Sequence, residues 1–397
     1  MGISMRDGPY RKRNRIARGG SLRIAQIVHL YESVPPKLYG GTERVVAYLT
    51  EELIRRGHRV HLFASGDSTV DAPLTAGWPE SLRLAGLSKY GDSYTLLNLG
   101  AAYERAHEFD IIHAHVDYWS FPFARLVSTP TVSTMHGRLD LPHLHPIYRA
   151  YRDLPLVSIS NDQRSYLPFA NWLGTVYHGL PDGVLKYQSE PGKYLAFLGR
   201  IAPEKRPDWA IEVARRAGLP LKIAAKVDPA DREYFETKIK PMLAGPGVEF
   251  IGEVNEEEKS LFLGNALGLL FPIDWPEPFG LVMIEALACG TPVIARPCGS
   301  VREIIHDGIT GYLADSVEEM VAAAHKIDRI SRQNCRREFE TRFTVTAMAA
   351  GYEELYHRLL DPEQITATAS TAISLDKSPA HRPALALRAS AAPRERE

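Results

Sequence analysis

The stretch "LGLLFPIDWPEPFGLVMIEALACGTPVIA", residues 267–295, holds a strand, a loop, a helix and a second strand in immediate succession. Leu267–Ile273 is an apolar run of strand length, and Thr291–Ala295 is another. Pro276 and Pro278 forbid a helix up to that point, Phe279 and Gly280 can start one, and Gly290 can end it. The pattern is therefore a strand–helix–strand unit, which places two parallel strands under a crossover helix.

The same unit recurs in both directions. Upstream, "LRIAQIVHL", "HRVHLFA", "FDIIHAH", "TPTVSTMHG", "LPLVSIS" and "LGTVYHG" are strand-like, and "TERVVAYLTEELIRRG" repeats apolar residues at helical spacing and stops at Gly57. A segment bearing Pro and Gly, Gly179 to Gly192, is taken as an interdomain linker. After it come "KYLAFLGR" strand, "PDWAIEVARRAG" helix, "PLKIAAKV" strand, a charged helix near Asp231 to Lys240, "GVEFIGEV" strand and "EEEKSLFLGNA" helix. The expected fold class is α/β, with two doubly wound, Rossmann-like parallel-sheet domains facing across a cleft. The expected boundaries are a basic disordered arm at 1–20, a first domain at 21–180, a second at 193–345, and a terminal helix at 346–361 packing back toward the first domain. A disordered tail rich in Ala, Ser, Thr, Pro and Arg is expected at 362–397. In such sheets ligands bind outside the carboxyl ends of the strands, where two facing domains make a cleft.

Composition narrows the class of partner. In 397 residues, 47 Lys and Arg nearly cancel 48 Asp and Glu. No global field favours nucleic acid, so an anionic ligand must be held locally. Three cysteines without CxxC spacing argue against a disulfide framework and fit a reducing cytoplasm. "LRIAQIVHLY" is interrupted by Arg23 and Gln26 and reads as a strand rather than a signal peptide, and no run approaches the roughly 18 apolar residues of a spanning helix. The expected location is cytoplasmic, with "HLHPIYRAYRDLP" (143–155) as an acceptor- or membrane-facing surface giving peripheral contact.

Within 267–295, Glu277 stands at the helix entrance and Glu285 in its second turn, with almost only apolar residues between. The amides of Gly280, Leu281 and Val282 are helix-entrance donors and, with the helix dipole, make a phosphate site. Carboxylates beside a phosphate are repelled by it, so they should bind something uncharged and rich in hydroxyls, such as a sugar. Arg200 and Lys205, in "GRIAPEKRPD", follow a strand at the expected cleft. Gly40 and Gly41, in "YGGTERVV", lie between strand and helix, where the backbone can approach a phosphate closely. Together these cradle a diphosphate without a metal or other cofactor.

"GGTERVV", "GRIAPEKRPD" and "EPFGLVMIEALACGTPVIA", followed by "GSVREIIHDGITGYL", resemble the retaining glycosyltransferases of family four (group 1), which have the two-domain GT-B fold. The resemblance runs in order from about Leu22 to Leu360. It implies transfer of a sugar from a nucleotide-diphosphate sugar, a UDP- or GDP-sugar, to an acceptor hydroxyl. Residue by residue, it implies that Glu277 contacts hydroxyls of the transferred sugar and Glu285 the ribose. It assigns the donor diphosphate to Arg200 and Lys205, and to a loop at Gly41 approaching from the other domain. His136, in "TMHGR", matches a histidine near the transferred sugar, and Val254, in "IGEV", falls where the nucleobase packs.

Plainer explanations stand beside these. Glu277 and Glu285 could be a dipole-stabilised carboxylate and a solvated one, which leaves their apolar setting unexplained. Arg200 and Lys205 could be a solvated pair, and Gly40 and Gly41 an ordinary turn. His113, His115 and Asp117 in "IIHAHVDYW" raise a metal site, against which strand-end packing is the simpler account. Rival functions are a nucleotide-sugar epimerase, a phosphorylase, an exported two-lobed sugar binder, and a non-catalytic GT-B-like scaffold. A dehydrogenase is disfavoured because "YESVPPKLYGG" stands where a GxGxxG would follow the first strand.

Overall fold

A computed structural model describes residues 20–37 and 40–361, so the basic arm (apart from Gly20) and the tail after Asp361 lie outside the described residues. Among the described residues, thirteen strands form two wholly parallel sheets. The first contains β1 (Arg23–Val28), β2 (Arg59–Ser65), β3 (Leu74–Trp78), β4 (Ile111–His115), β5 (Thr131–Thr134), β6 (Pro155–Ser158) and β7 (Asn171–Thr175), in the order β3-β2-β1-β4-β5-β6-β7. The second contains β8 (Tyr194–Arg200), β9 (Leu221–Lys226), β10 (Val248–Gly252), β11 (Ala266–Phe271), β12 (Val293–Ala295) and β13 (Gly311–Leu313), in the order β10-β9-β8-β11-β12-β13. Strand order reverses between β1 and β4 in one sheet and between β8 and β11 in the other. A ligand crevice opens at such a reversal, beyond the strands' carboxyl ends. Arg200 ends β8, the segment of Glu277 follows β11, and His115 ends β4.

Each sheet is buried by the apolar face of its crossover helices. In the second domain Leu195, Phe197, Ile223, Leu269, Leu270 and Ile294 pack against Ile211, Met283 and Leu287. The helix Pro207–Ala217 buries Ala210, Ile211, Val213, Ala214 and Ala217, which recur at helical spacing along one stripe. The charged segment after Asp231 is less regular than its composition suggests. It passes through a π-helical turn at Phe235–Ile239 just before Pro241, whose missing N–H cannot close the ordinary i→i−4 bond.

The chain crosses between domains twice, and the two crossings are bonded to each other. Leu180 N donates to Phe343 O at 2.9 Å and Val345 N to Leu180 O at 2.8 Å. The helix Val345–Leu360 then packs on the first domain, where Met348, Tyr352 and Tyr356 join Leu22, Ile24, Val45 and Leu49 in one core. Its polar side is tied down as well: Glu353 bonds His58 at 2.7 Å.

Gly179 is required at this crossing by close approach. A Cβ there would lie 2.1 Å from Thr344 O. Gly179→Ala should open the paired crossing, so that amide exchange at Leu180 and Val345 accelerates by roughly tenfold or more while β1 amides stay protected. Unchanged exchange at both crossing amides would contradict this.

Candidate functional site

The loop from Pro272 to Gly280 carries Glu277 from the end of β11 to the helix Leu281–Ala288. Pro276 and Pro278 keep it extended, and its backbone is held by a second loop: Ser300 N donates to Glu277 O at 3.0 Å, and Ser300 Oγ to Phe279 O at 2.7 Å. Gly299, at φ 60°, allows that contact, because a Cβ there would meet Glu277 N and O at 2.4 Å. The Glu277 carboxylate is buried, and its Oε2 accepts from Lys205 Nζ at 2.5 Å and from Trp275 Nε1 at 2.9 Å. Lys205 also lies 4.8 Å from the Trp275 ring, and Arg138 of the first domain is 5.3 Å from the same ring. Trp275 thus orients the carboxylate and receives a cation from each domain.

Glu285 is held in the same manner by a different lysine. Its Oε1 pairs with Lys259 Nζ at 2.7 Å, and Lys259 reaches Glu256 at 3.5 Å. Glu256 opens the helix Glu256–Gly264, whose entrance is fixed by a capping box between Asn255 and Glu258. From the first domain, Arg44 forms an ion pair with Glu256, and Tyr48 OH lies 3.5 Å from it. The network therefore runs from Glu285 across the cleft into the helix Gly41–Arg55.

That helix begins opposite Leu281–Ala288: a Cβ on Gly41 would sit 3.5 Å from Leu281 Cδ1. Gly40 is the N-cap of one helix and Gly280, at φ 79°, the N-cap of the other, and neither end is closed by a side-chain cap. At each entrance the first two amides, Gly41 and Thr42 in one helix and Leu281 and Val282 in the other, have no intrahelical acceptor, whereas Met283 N donates to Gly280 O at 3.0 Å and the Glu43 N–H to its own carboxylate, so two positive helix ends meet at the cleft. This can hold an anion. A buried carboxyl sits beside it: Glu43, in the first turn, is pushed up to about 7 by burial, with its own backbone N–H pulling it down and Glu32 raising it further. About half of its charge is therefore absent at neutral pH, which lessens its repulsion of a phosphate.

Arg200 stands apart from Lys205. It bonds Glu204 at 2.5 Å and lies near Asp231 (3.4 Å) and Asp228 (3.7 Å), so its charge is already opposed by three carboxylates. Val254, half-buried beyond the end of β10, packs against the second domain's core. His136 joins a group of rings: its Nε2 is 2.8 Å from His115 Nδ1, and its ring stacks on His178, which meets Phe279 edge-on at 4.7 Å. Burial pushes His136 down to about 3. His113 and His115 bond Thr134, Tyr356, Gln26 and His136, and among the described residues no group of three or more His, Cys, Asp or Glu is disposed to hold a metal ion. Asp117 adopts φ 48°, and burial pushes its carboxyl up to about 6 against the pull of the His136 backbone N–H.

The largest omission of sequence reasoning is Glu303. Its carboxylate accepts from Asn161 N (2.8 Å), Asp162 N (2.7 Å), Asn161 Nδ2 (2.9 Å) and Tyr177 OH (2.8 Å), all from the first domain or its exit. The motif 299–313 was visible, but nothing local says that its glutamate lands on a helix start 142 residues upstream. Lys259, Glu256 and Arg44 were missed for the same reason, and Trp275 was missed although its bond to Glu277 spans only two residues.

Comparison with known proteins agrees with this architecture. The second domain matches the model of "Glycosyl transferases group 1" over residues 186–347, and the first matches "Glycosyltransferase Family 4" over residues 39–184. The chain belongs to the family-four, group 1 glycosyltransferases. It is 22% identical over 371 residues to the O-antigen chain mannosyltransferase C of Escherichia coli, covering 85% of this chain and 99% of that one. It is 30% identical over 145 residues to the D-inositol 3-phosphate glycosyltransferase of Geodermatophilus obscurus, a match that spans 32% of this chain and 31% of that protein. Anabaena HepE, solved in complex with UDP-glucose, superposes with a TM-score of 0.63 at 18% identity, covering 88% of this chain and all of that one. Both parallel sheets thus have their counterpart among GT-B glycosyltransferases, and no helix among the described residues is long and apolar enough to cross a membrane.

The Glu43 carboxyl has a measurable consequence. Folded, it holds its proton to about pH 7, against an ordinary value of 4.5. Between those values the folded state binds more protons than the unfolded chain, so raising the pH through this window lowers stability. Glu43→Gln escapes that loss, and its stability relative to wild type should grow by up to about 3 kcal/mol between pH 4.5 and 8 in urea unfolding. A difference independent of pH would show that Glu43 is an ordinary carboxylate.

Proposed function

We propose that the chain transfers a hexosyl group from a UDP- or GDP-sugar to an acceptor hydroxyl, with retention of anomeric configuration and without a metal ion. The observation that carries this is the meeting of two uncapped helix N-termini beside Lys205–Glu277 on one side and Lys259–Glu285 on the other. A nucleotide sugar has the matching sequence of groups: a hydroxyl-rich sugar, a diphosphate and a ribose diol. On this account Glu277 accepts hydrogen bonds from hydroxyls of the transferred sugar and Glu285 from the ribose. Val254 faces the base, His136 the sugar, and Lys205 with the amides of Gly41, Leu281 and Val282 receives the diphosphate. Arg200 contributes once the phosphate competes with its three carboxylates.

The reaction breaks the bond between the anomeric carbon and the diphosphate oxygen and forms one to the acceptor oxygen on the same face. The acceptor's proton passes to the departing diphosphate oxygen. Charge accumulates on the diphosphate and positive character on the sugar ring, so stabilisation comes from preorganised donors and positioning rather than from a nucleophile–acid carboxylate pair. HepE, with its UDP-glucose, supports a nucleotide-sugar donor at the level of the fold. The names of the relatives point to dissimilar acceptors, an inositol phosphate and an O-antigen chain. The acceptor is accordingly left as an alcohol of open class. The three free cysteines fit a reducing cytoplasm, and the exposed parts of 143–155 supply the surface for peripheral membrane contact.

Glu277→Gln and Lys205→Ala should each lower turnover by about a hundredfold or more in a folded protein. Near-normal turnover in both would remove this site assignment. Proton NMR of the first-formed product should show the donor's anomeric configuration, and chelation of divalent ions should leave the rate intact. An inverted product or a rate lost to the chelator contradicts the mechanism.

A further inference from the structure

Behind His136 lies a chain of buried polar groups whose protons can be assigned one after another. His115 Nε2 is 2.6 Å from Gln26 Oε1, and His115 Nδ1 is 2.8 Å from His136 Nε2. Burial pushes His115 well below the ordinary histidine range, the neighbouring imidazoles adding to the effect, so the ring is neutral at working pH. His136 is neutral for the same first cause. A neutral imidazole has one N–H and one bare nitrogen, and an amide oxygen can only accept. The proton of His115 is therefore on Nε2, its Nδ1 is bare, and the hydrogen bond to His136 must come from His136 Nε2–H. His136 Nδ1 is left as a bare acceptor. It is buried and has no partner among the described residues.

We propose that Gln26 and His115 are positioning residues that lock His136 in the Nε2–H tautomer, so that its Nδ1 lone pair accepts a hydrogen bond from a hydroxyl of the transferred sugar. This rests on the cleft being a nucleotide-sugar site, and it narrows the donor class. A bare nitrogen accepts from a hydroxyl and repels a carboxylate, so at the contacted position the sugar carries a hydroxyl and is not a uronic acid. An unpaired buried acceptor is costly, and the sugar hydroxyl satisfies it. Gln26 Nε2 is itself buried and meets no well-aligned acceptor among the described residues, although burial pushes the Tyr356 phenol up and the Gln26 side chain pulls it down against that effect. The opposite amide orientation would reverse every proton in the relay and place the His136 proton on Nδ1.

The full chain is labelled with ¹⁵N-histidine, and His136 is assigned by comparison with His136→Phe. The expected spectrum, recorded without donor, shows a protonated Nε2 and a bare Nδ1 at His136; the opposite pattern overturns the proposal. In Gln26→Met, whose folding the same spectra report, His136 should become a mixture of tautomers. Its kcat with a hexosyl donor should fall about tenfold while the donor KM changes less than twofold. A pure Nε2–H tautomer in Gln26→Met removes the relay. Because the tautomer is read on the unliganded protein, failure here is separable from failure of the nucleotide-sugar assignment, which would appear as no turnover with a correct tautomer.

Discussion

Two carboxylates set among apolar side chains require cations, and the shape of the cleft follows from where those cations come from. Lys205 reaches Glu277 from the short helical turn after β8, and Lys259 reaches Glu285 from the helix after β10. Both glutamates are nearly buried, so removing either lysine would leave an uncompensated charge that costs far more than a surface ion pair is worth. The pairs therefore hold the loop and the helix of 272–288 in one position relative to β8 and β10. They also hold each carboxylate in one direction, Glu277 through Lys205 and Trp275 and Glu285 through Lys259.

The first domain is brought to this frame by contacts that each engage a functional segment. Arg44 joins the Glu256–Lys259–Glu285 network, Arg138 lies over Trp275, and His178 meets Phe279 beside Glu277. Glu303 caps the start of Asn161–Ser165 from the far side of the cleft. It stands only three residues beyond Ser300, which holds the backbone of Glu277. One short segment, Ser300 to Glu303, thus both holds the backbone of Glu277 and contributes one of the contacts that join the domains.

Much of the architecture was legible because it repeats. Strands 23–28 and 111–115 carry Ile or Val at most apolar positions, 266–271 is a continuous apolar run, and the glycine after Gly41–Arg55 and the prolines before Leu281–Ala288 punctuate their helices. What escaped was short or marginal. β13 has three residues, and β3, with no fully buried residue, shows no core alternation. "LGTVYHG" was read as strand to its end, whereas β7 stops at Thr175, because Tyr177 and His178 leave the sheet to pack on Phe279. At the site, residue types and their order along the chain were readable, but not their partners. Arg200 and Lys205 read as one basic pair. In the fold they are five residues apart on opposite flanks of a turn, one opposed by Glu204, Asp228 and Asp231 and the other by Glu277. Contacts such as Lys205–Glu277, 72 residues apart, Glu303–Asn161, 142 apart, and Arg44–Glu256, 212 apart, leave no local trace.

We propose that Lys205, paired with Glu277, is shared with the diphosphate of a bound donor. This is tested most directly by calorimetric titration of UDP and GDP into the wild type, Lys205→Met and Glu277→Gln. A shared lysine predicts that Lys205→Met weakens the preferred diphosphate by roughly tenfold or more, while Glu277→Gln, which frees the ammonium and removes a nearby negative charge, binds it as tightly as the wild type or more tightly. If Glu277→Gln loses diphosphate affinity as severely as Lys205→Met, the carboxylate is not a competitor for the lysine and the account of the cleft is wrong.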